Sequence, residues 1–361
     1  LVRKFHVFSV IGGVLLFGFL VYHIGPASLW EQLSTLGGGL ALLAVMDGAA
    51  DLFHAQAFRY CLSGPHRSLP FVRILSIRMS GSAINYLTPT AGFGGEVTKG
   101  VLLSGRETGA LAASAVIVDK LSLALAQLLF VAAGGFAILP RLTVVPHGLV
   151  IALITGTVLL SAGIGTFLVL QWQGRLGSVV RWAVTHNVGG KSAKKAAHYM
   201  TDVDSTLRFF YRSRPLDLPL SIVWHLMGMA WGVVPAYLFL VMLTGDASLF
   251  VAGAVLVLGT WFNMVTFAVP ADIGVQEASR LVVFTLLGYS SALGLTYGIA
   301  LRIEQLVWAG LGLLVYALLV YRMGTKARGA ADRELSTRGG AKDSFDEGDA
   351  SLRREGSSNS P

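Results

Sequence analysis

Apolar residues in this chain do not alternate with polar ones; they come in long blocks. Phe5–Ile24, Leu36–Leu62, Gly109–Leu139, His147–Trp172, Leu218–Leu243, Leu249–Val269 and Ala292–Tyr321 are apolar runs with few polar interruptions. Each is long enough for the roughly 20 residues that a helix needs to cross a bilayer. Helices satisfy their own backbone hydrogen bonds in lipid, so the pattern predicts an all-α polytopic membrane protein. The first run follows Arg3 and Lys4, as in a secretory leader. It is long for a leader's apolar region and no small-x-small cleavage site follows it, so the expectation is a retained helix.

Two segments break the blocks in the same way. NYLTPTAGFGGE (Asn85–Glu96) and NMVTFAVPADIGVQE (Asn263–Glu277) both begin Asn-x-x-Thr, and both place a proline seven residues before a glutamate, Pro89 before Glu96 and Pro270 before Glu277. An apolar stretch of about a helix length leads into each break. A short amphipathic segment leads out, Val97–Ser104 and Ala278–Leu287. At about 1.5 Å per residue neither crosses a hydrocarbon core of about 30 Å. The spacing therefore predicts two re-entrant hairpins, each a helix going in, a Pro/Gly break near mid-membrane, and a half-helix coming back.

The element order of the two halves then matches. Two spans precede each hairpin (Phe5–Leu62 and His147–Leu243) and one long helix follows each (Gly109–Leu139 and Ala292–Tyr321). This predicts an inverted repeat, with repeat one over about residues 5–139 and repeat two over about 147–322 of a membrane domain spanning 1–322. Inverted repeats of this kind place binding sites at mid-membrane, where broken helices meet. Irregular backbone is tolerated at that depth only inside protein or along a wet cavity.

Composition and charge sharpen the picture. Charged residues make up 13% of the 361, against about 25% in soluble domains, which agrees with the membrane class. The net charge of +8 raises nucleic acid as a partner, but its placement points elsewhere. Lys and Arg gather at the N-terminus, around Arg67–Arg78, at Lys99–Arg106, across Arg175–Arg214 and after Arg322, while Gly25–Thr35, Pro140–Pro146 and Thr244–Ser248 hold only Arg141. Cytoplasmic loops carry such an excess. Both termini and the 175–214 crossover are therefore expected in the cytoplasm, with no nucleic-acid partner. The first hairpin opens to the cytoplasm near Arg73 and Arg106, and the second to the opposite side, between Asp246 and Tyr289. The crossover KSAKKAAHYMTDVDSTLRFFYRSRP has helix-like composition and a cationic bias that attracts anionic lipid by about 1 kcal/mol per cation. Residues 323–361 are Gly/Ser-rich and mixed in charge, the composition of a disordered cytoplasmic tail. The lone Cys61 excludes an intramolecular disulfide and a cysteine-based zinc or redox motif. No cofactor or metal is expected.

Ionisable residues inside the runs cost about 2.5–3.5 kcal/mol each to insert, so they call for partners or a cavity. Asp47, Asp51 and His54 fall on one face of the second run. They serve either as a proton relay or head-group contact, or as an interhelical salt-bridge set with Arg59, Arg73 or Arg78. Glu96 and Glu277 begin the return segments, where a carboxylate either caps the helix or contacts the cargo. Asn85 and Asn263 have amides suited to holding unwound backbone. Asp119 with Lys120, and Arg302 with Glu304, place one charge of each sign early in the helix after each hairpin. Arg302 suits a lipid phosphate; equally, both sets suit ion pairs that lock the following helices to the hairpins. His225 reads as a packed core histidine.

NYLTPTAGFGGEVTKGVLL, VIVDKLSLALAQLLFV, VPADIGVQEASRLVVFTLLG and LRIEQLVWAGLGLLVY together sample most of residues 5–322. On these motifs the chain resembles the flippase-like transmembrane family, which includes the membrane half of the lysylphosphatidylglycerol synthases; the subgroup nearest in character is the hopanoid-biosynthesis-associated membrane protein L family. The resemblance implies lipid translocation or trafficking in a bacterial inner membrane, with membrane lipids and lipid-biosynthesis enzymes as partners. Many relatives carry an Arg between the first proline and glutamate; Thr90–Gly95 holds no cation. No soluble aminoacyl-transferase domain follows Arg322, so no synthase activity is expected. HExxH, GxSxG and Asp-x-x-Asp-Asp are also absent, which argues against an intramembrane enzyme. A non-catalytic partner of a lipid-synthesis complex is the other alternative to a carrier.

Overall fold

The computed structural model of the protein describes residues 36–88, 93–104, 109–141, 147–186, 190–265 and 275–355. The expected first span, Phe5–Ile24, and the break segments around Pro89 and Pro270 lie outside the described residues. What is described is helical, with no strand among the described residues. Among the described residues, five helical stretches are long and apolar enough to cross a membrane: Gly38–Cys61, Gly109–Ile138, Val150–Trp172, Asp217–Thr244 and Ser291–Thr325. The all-α membrane class read from the apolar blocks is the class of the structure.

In chain order, α1 is Gly38–Cys61, followed by a 3-10 turn at Gly64–Ser68, α2 at Phe71–Leu87 and α3 at Phe93–Leu103. Then come α4 (Gly109–Ile138), α5 (His147–Trp172), and α6 (Leu176–Thr185) with α7 (Gly190–Ser213) in the basic crossover. The second half holds α8 (Asp217–Trp231), α9 (Val233–Thr244), α10 (Leu249–Val265), α11 (Val275–Leu286) and α12 (Ser291–Glu355). α8 and α9 form the single expected run, jointed at Gly232. Pro235 supplies the physical reason, because it has no N–H to return to the carbonyl four residues back. The chain divides into two compact units, Leu1–Val315 and Tyr316–Pro361. The second is the outer part of α12, which continues as helix to Glu355 through the stretch whose composition suggests disorder. No proline interrupts it before Pro361, although each of its glycines disfavours helix by about 1 kcal/mol.

The apolar core of the first unit gathers Leu40, Leu43, Phe239, Leu240, Leu258, Trp261, Phe284 and Tyr297. Phe239 meets Phe284 and Tyr297 edge-on. Outward, Phe136, Ile151, Val158, Leu159 and Leu314 are exposed, an apolar exterior suited to lipid rather than water.

Two helix pairs position the interior polar groups. α2 and α3 run antiparallel: Gly81 faces Gly95 and Lys99, and Asn85 faces Gly95 and Glu96. The far ends also meet, where His66 Nε2 donates to the Leu103 carbonyl at 2.9 Å. A side chain on Gly95 would collide with the Gly81 carbonyl oxygen, so the backbones touch directly. α10 and α11 repeat the arrangement. Gly259 lies against the Arg280 guanidinium, while Phe250 and Leu287, at the opposite ends, share an apolar cluster with Ile138, Ala254 and Val257. With 11 and 12 residues, α3 and α11 are each only about 16–18 Å long.

In the crossover, Asp204 of α7 accepts the backbone N–H groups of Leu176 and Gly177 at 3.0 and 2.8 Å. It thereby satisfies two donors left free at the start of α6. Val203, Leu207 and Phe210 bury the inner face of α7. Arg67 in the 3-10 turn reaches Asp217 at the start of α8, 2.6 Å away.

Candidate functional site

The face of α1 that carries Asp47, Asp51 and His54 borders a cavity of about 300 Å³. Spacings of four and three residues put the three side chains on one side of a helix. α2 contributes Arg78, Ser82 and Tyr86 to the same cavity, and α12 contributes Gln305 and Trp308. The Trp308 indole is held by donating to the Ala44 carbonyl at 2.9 Å and fits because Gly48 has no side chain. Arg78 Nε donates to Asp51 Oδ1 at 3.3 Å. Of the three arginines considered for Asp51, it is therefore Arg78 that meets it. His54 does not bond Asp51. Its Nδ1 lies 2.8 Å from Nδ1 of His225 on α8.

Behind the cavity, an ion cluster joins α2, α3 and α4. Asn85 Oδ1 accepts the Gly95 N–H at 2.6 Å and Asn85 Nδ2 donates to Glu96 Oε1 at 3.2 Å, so this amide clamps the first turn of α3. Lys99 Nζ is 2.6 Å from both Glu96 Oε2 and Asp119 Oδ2. Lys120, exposed, stands 3.8 Å from Glu96. Lys99 is only 4% exposed and passes over the Phe58 ring at 5.2 Å. In sequence it belongs with the basic group of 99–106, but its side chain lies in the interior. Standing one helical turn after Glu96, it is turned inward against Asp119, where two carboxylates offset its desolvation. Asp119 pairs with Lys99, not with its neighbour Lys120, because adjacent helix positions point in different directions.

The second half differs in sign. Arg302 Nε donates to Glu277 Oε1 at 2.8 Å, and its NH1 donates to the Tyr86 hydroxyl at 2.8 Å. Arg302 is 1% exposed and bridges α11 and α2, tying the two helix pairs together. Glu304 faces away from this pair into a smaller cavity of about 50 Å³, shared with Asp47, Tyr297 and Pro235. Asn263 is half-buried near the end of α10. A longer grammar now joins the halves. Gly81-x3-Asn85…Glu96-x2-Lys99 corresponds to Gly259-x3-Asn263…Glu277-x2-Arg280, and in each the glycine makes room for the cation.

His225, read from sequence as core, is fully buried and faces Asp119, Nε2 to Oδ1, at 3.4 Å. One turn along the same α4–α8 contact, Ser221 donates to Ser122 Oγ at 2.9 Å. Ser221, four residues before His225, and Ser122, three after Asp119, mark a polar stripe that the sequence did carry. Tyr86 and Trp308 gave no such signal, because an aromatic in an apolar run looks like core.

In the 3-10 turn between α1 and α2, burial holds the His66 imidazole below its ordinary value of 6.5, against the opposing pull of the Leu103 carbonyl.

Set beside curated proteins and solved structures, the chain matches none. One family does match, over residues 6–325; it is the family as a whole, and the hopanoid-associated subgroup rests on the sequence motifs alone. A bundle of apolar helices around buried charge, matched over nearly all of its membrane domain, makes this chain a member of the lysylphosphatidylglycerol synthase transmembrane region family.

Proposed function

We propose that the protein carries a polar-headed lipid between the leaflets of a bacterial inner membrane, the head group passing through the cavity while the acyl chains stay in lipid. One observation carries this reading: a polar cavity walled by α1, α2 and α12 inside a bundle whose exterior is apolar. Ionisable groups at such depth mark substrate pathways. The antiparallel pairs α2–α3 and α10–α11, each with one member too short to span, support re-entrant hairpins in an inverted repeat. The bond from His66 to Leu103 supports a first hairpin that enters and leaves by one face. Rocking of one repeat against the other would then expose the cavity to each side in turn. The protein is proposed to be a carrier and not an enzyme, with both termini cytoplasmic.

The test is movement of head-group-labelled lipid in proteoliposomes of the purified protein. Glu96→Gln, Glu277→Gln and Asp51→Asn are expected to slow it while the protein still folds and inserts. Unchanged rates in all three remove the carrier. A chemically altered lipid in place of a moved one points to an enzyme, and neither outcome points to a non-catalytic partner of lipid-synthesis enzymes.

A further inference from the structure

A run of buried groups leads away from the cavity that the lipid path does not use. His54 lines the cavity, and its ring lies flat against Gly228, where a Cβ would sit 3.0 Å from Cε1 and Nε2. Its Nδ1 meets His225 Nδ1 at 2.8 Å. On the far side, His225 Nε2 faces Asp119 Oδ1 at 3.4 Å, slightly beyond a normal hydrogen bond. Both atoms are buried, and neither bonds any other group among the described residues. The second oxygen of Asp119 holds Lys99 at 2.6 Å. Cavity, His54, His225, Asp119 and Lys99 therefore follow one another in contact across α1, α8, α4 and α3.

Two imidazole nitrogens at 2.8 Å share one proton, since two N–H groups or two lone pairs would repel. With both rings neutral, the Asp119 carboxylate selects the arrangement. His225 carries its proton on Nε2, toward Asp119, and accepts at Nδ1 the proton of His54 Nδ1. We infer that His54, His225 and Asp119 form a proton path that links the cavity to the Lys99 lock on α3. A proton taken up on His54 Nε2 drives the Nδ1 proton of His54 onto His225 Nδ1, and the Nε2 proton of His225 onto Asp119 Oδ1. One proton enters, one arrives, and both rings end neutral with their tautomers exchanged. Asp119 is now an uncharged acid, and Lys99 keeps only Glu96. The closer of the two ion pairs between α3 and α4, at 2.6 Å against 3.8 Å for Lys120 and Glu96, is thereby released by a proton in the cavity. The groups facing this path are Asp47, Asp51 and Arg78 at the cavity end, Glu96, Lys99 and Lys120 around Asp119, and Cys61, Ser122 and Ser221 beside it. The carrier reading is needed only for what the loosened hairpin does next.

Infrared difference spectra of the full-length protein in proteoliposomes, recorded across pH steps, read the C=O stretch of a protonated carboxylic acid. The expected result is a pH-dependent band that Asp119→Asn abolishes and that His225→Gln and His54→Gln each remove, with thermal melting in detergent reporting that each variant is folded. His54 lies at the cavity edge, so its variant keeps the test open if His225→Gln does not fold. A wild-type protein with no Asp119 band at any pH, or a band that survives in both folded histidine variants, overturns the path. The labelled-lipid assay on the same vesicles separates the two claims. Lipid movement without the band removes the proton path and keeps the carrier; the band without lipid movement keeps the path and removes the carrier.

Discussion

Lys99 shows how much one residue can be asked to hold. Its ammonium is shared by Glu96 and Asp119 at 2.6 Å each, deep enough that removing it takes the lysine partner from Asp119 and leaves Glu96 with Asn85 and the more distant Lys120. Breaking a buried pair from one side typically costs about 3–5 kcal/mol, whereas replacing both partners by apolar groups is often near neutral. Lys99→Met alone is therefore expected to lower the melting temperature in detergent sharply. Lys99→Met combined with Asp119→Leu should recover much of the loss, and a double-mutant cycle measures the coupling. Gly95 is constrained by shape instead. Its absent side chain leaves room for the Gly81 carbonyl, a backbone group that cannot swing aside, so Gly95→Ala should destabilise by about 1–3 kcal/mol or more. At this scale the sequence revealed which charges are buried, such as Asp119 and Arg302, but not whom they meet. Asp119 meets Lys99, 20 residues back, and not the adjacent Lys120, because direction around a helix decides contact.

At the scale of elements, the short turn before α2 is fastened to the end of α3 by the bond from His66 to Leu103. Burial depresses the His66 pKa below 6.5, and its Nδ1 is buried without a hydrogen bond among the described residues. A histidine whose folded pKa is lowered contributes stability that is complete above the unfolded value and lost as pH falls through the folded one. The melting temperature should thus decline on acidification below about 6.5, and His66→Gln should flatten that part of the profile. The re-entrant geometry has its own measurement. Cys61 is buried, so single cysteines placed at exposed sites can be labelled in its presence. Ser68→Cys and Ser104→Cys, flanking α2–α3, should react with an impermeant thiol reagent from one side. Ser248→Cys and Ser290→Cys, flanking α10–α11, should react from the other. A split within either pair rejects that hairpin.

Across the whole molecule, the longest-range agreement between the halves is chemical. Each half pairs a glycine and asparagine on one helix with a glutamate and a cation on the next, and Arg302 then joins the second pair to Tyr86 of the first. If the halves rock as units, this bridge must break or turn with them. Arg302→Lys keeps the charge but not the two-armed contact, so it should slow labelled-lipid movement with little loss of expression. Equal rates would place Arg302 in the scaffold alone. The sequence by itself determined the membrane class and the extent of nearly every described span. These depend on run length, proline and glycine, which are properties of the chain taken one stretch at a time. Only the tertiary structure decided that His54 meets His225, 171 residues away, that Lys99 turns inward, and that Glu304 shares a cavity with Asp47. Those contacts depend on which helices are neighbours and how each is rotated about its axis, and apolar blocks with little one-sidedness leave both undetermined.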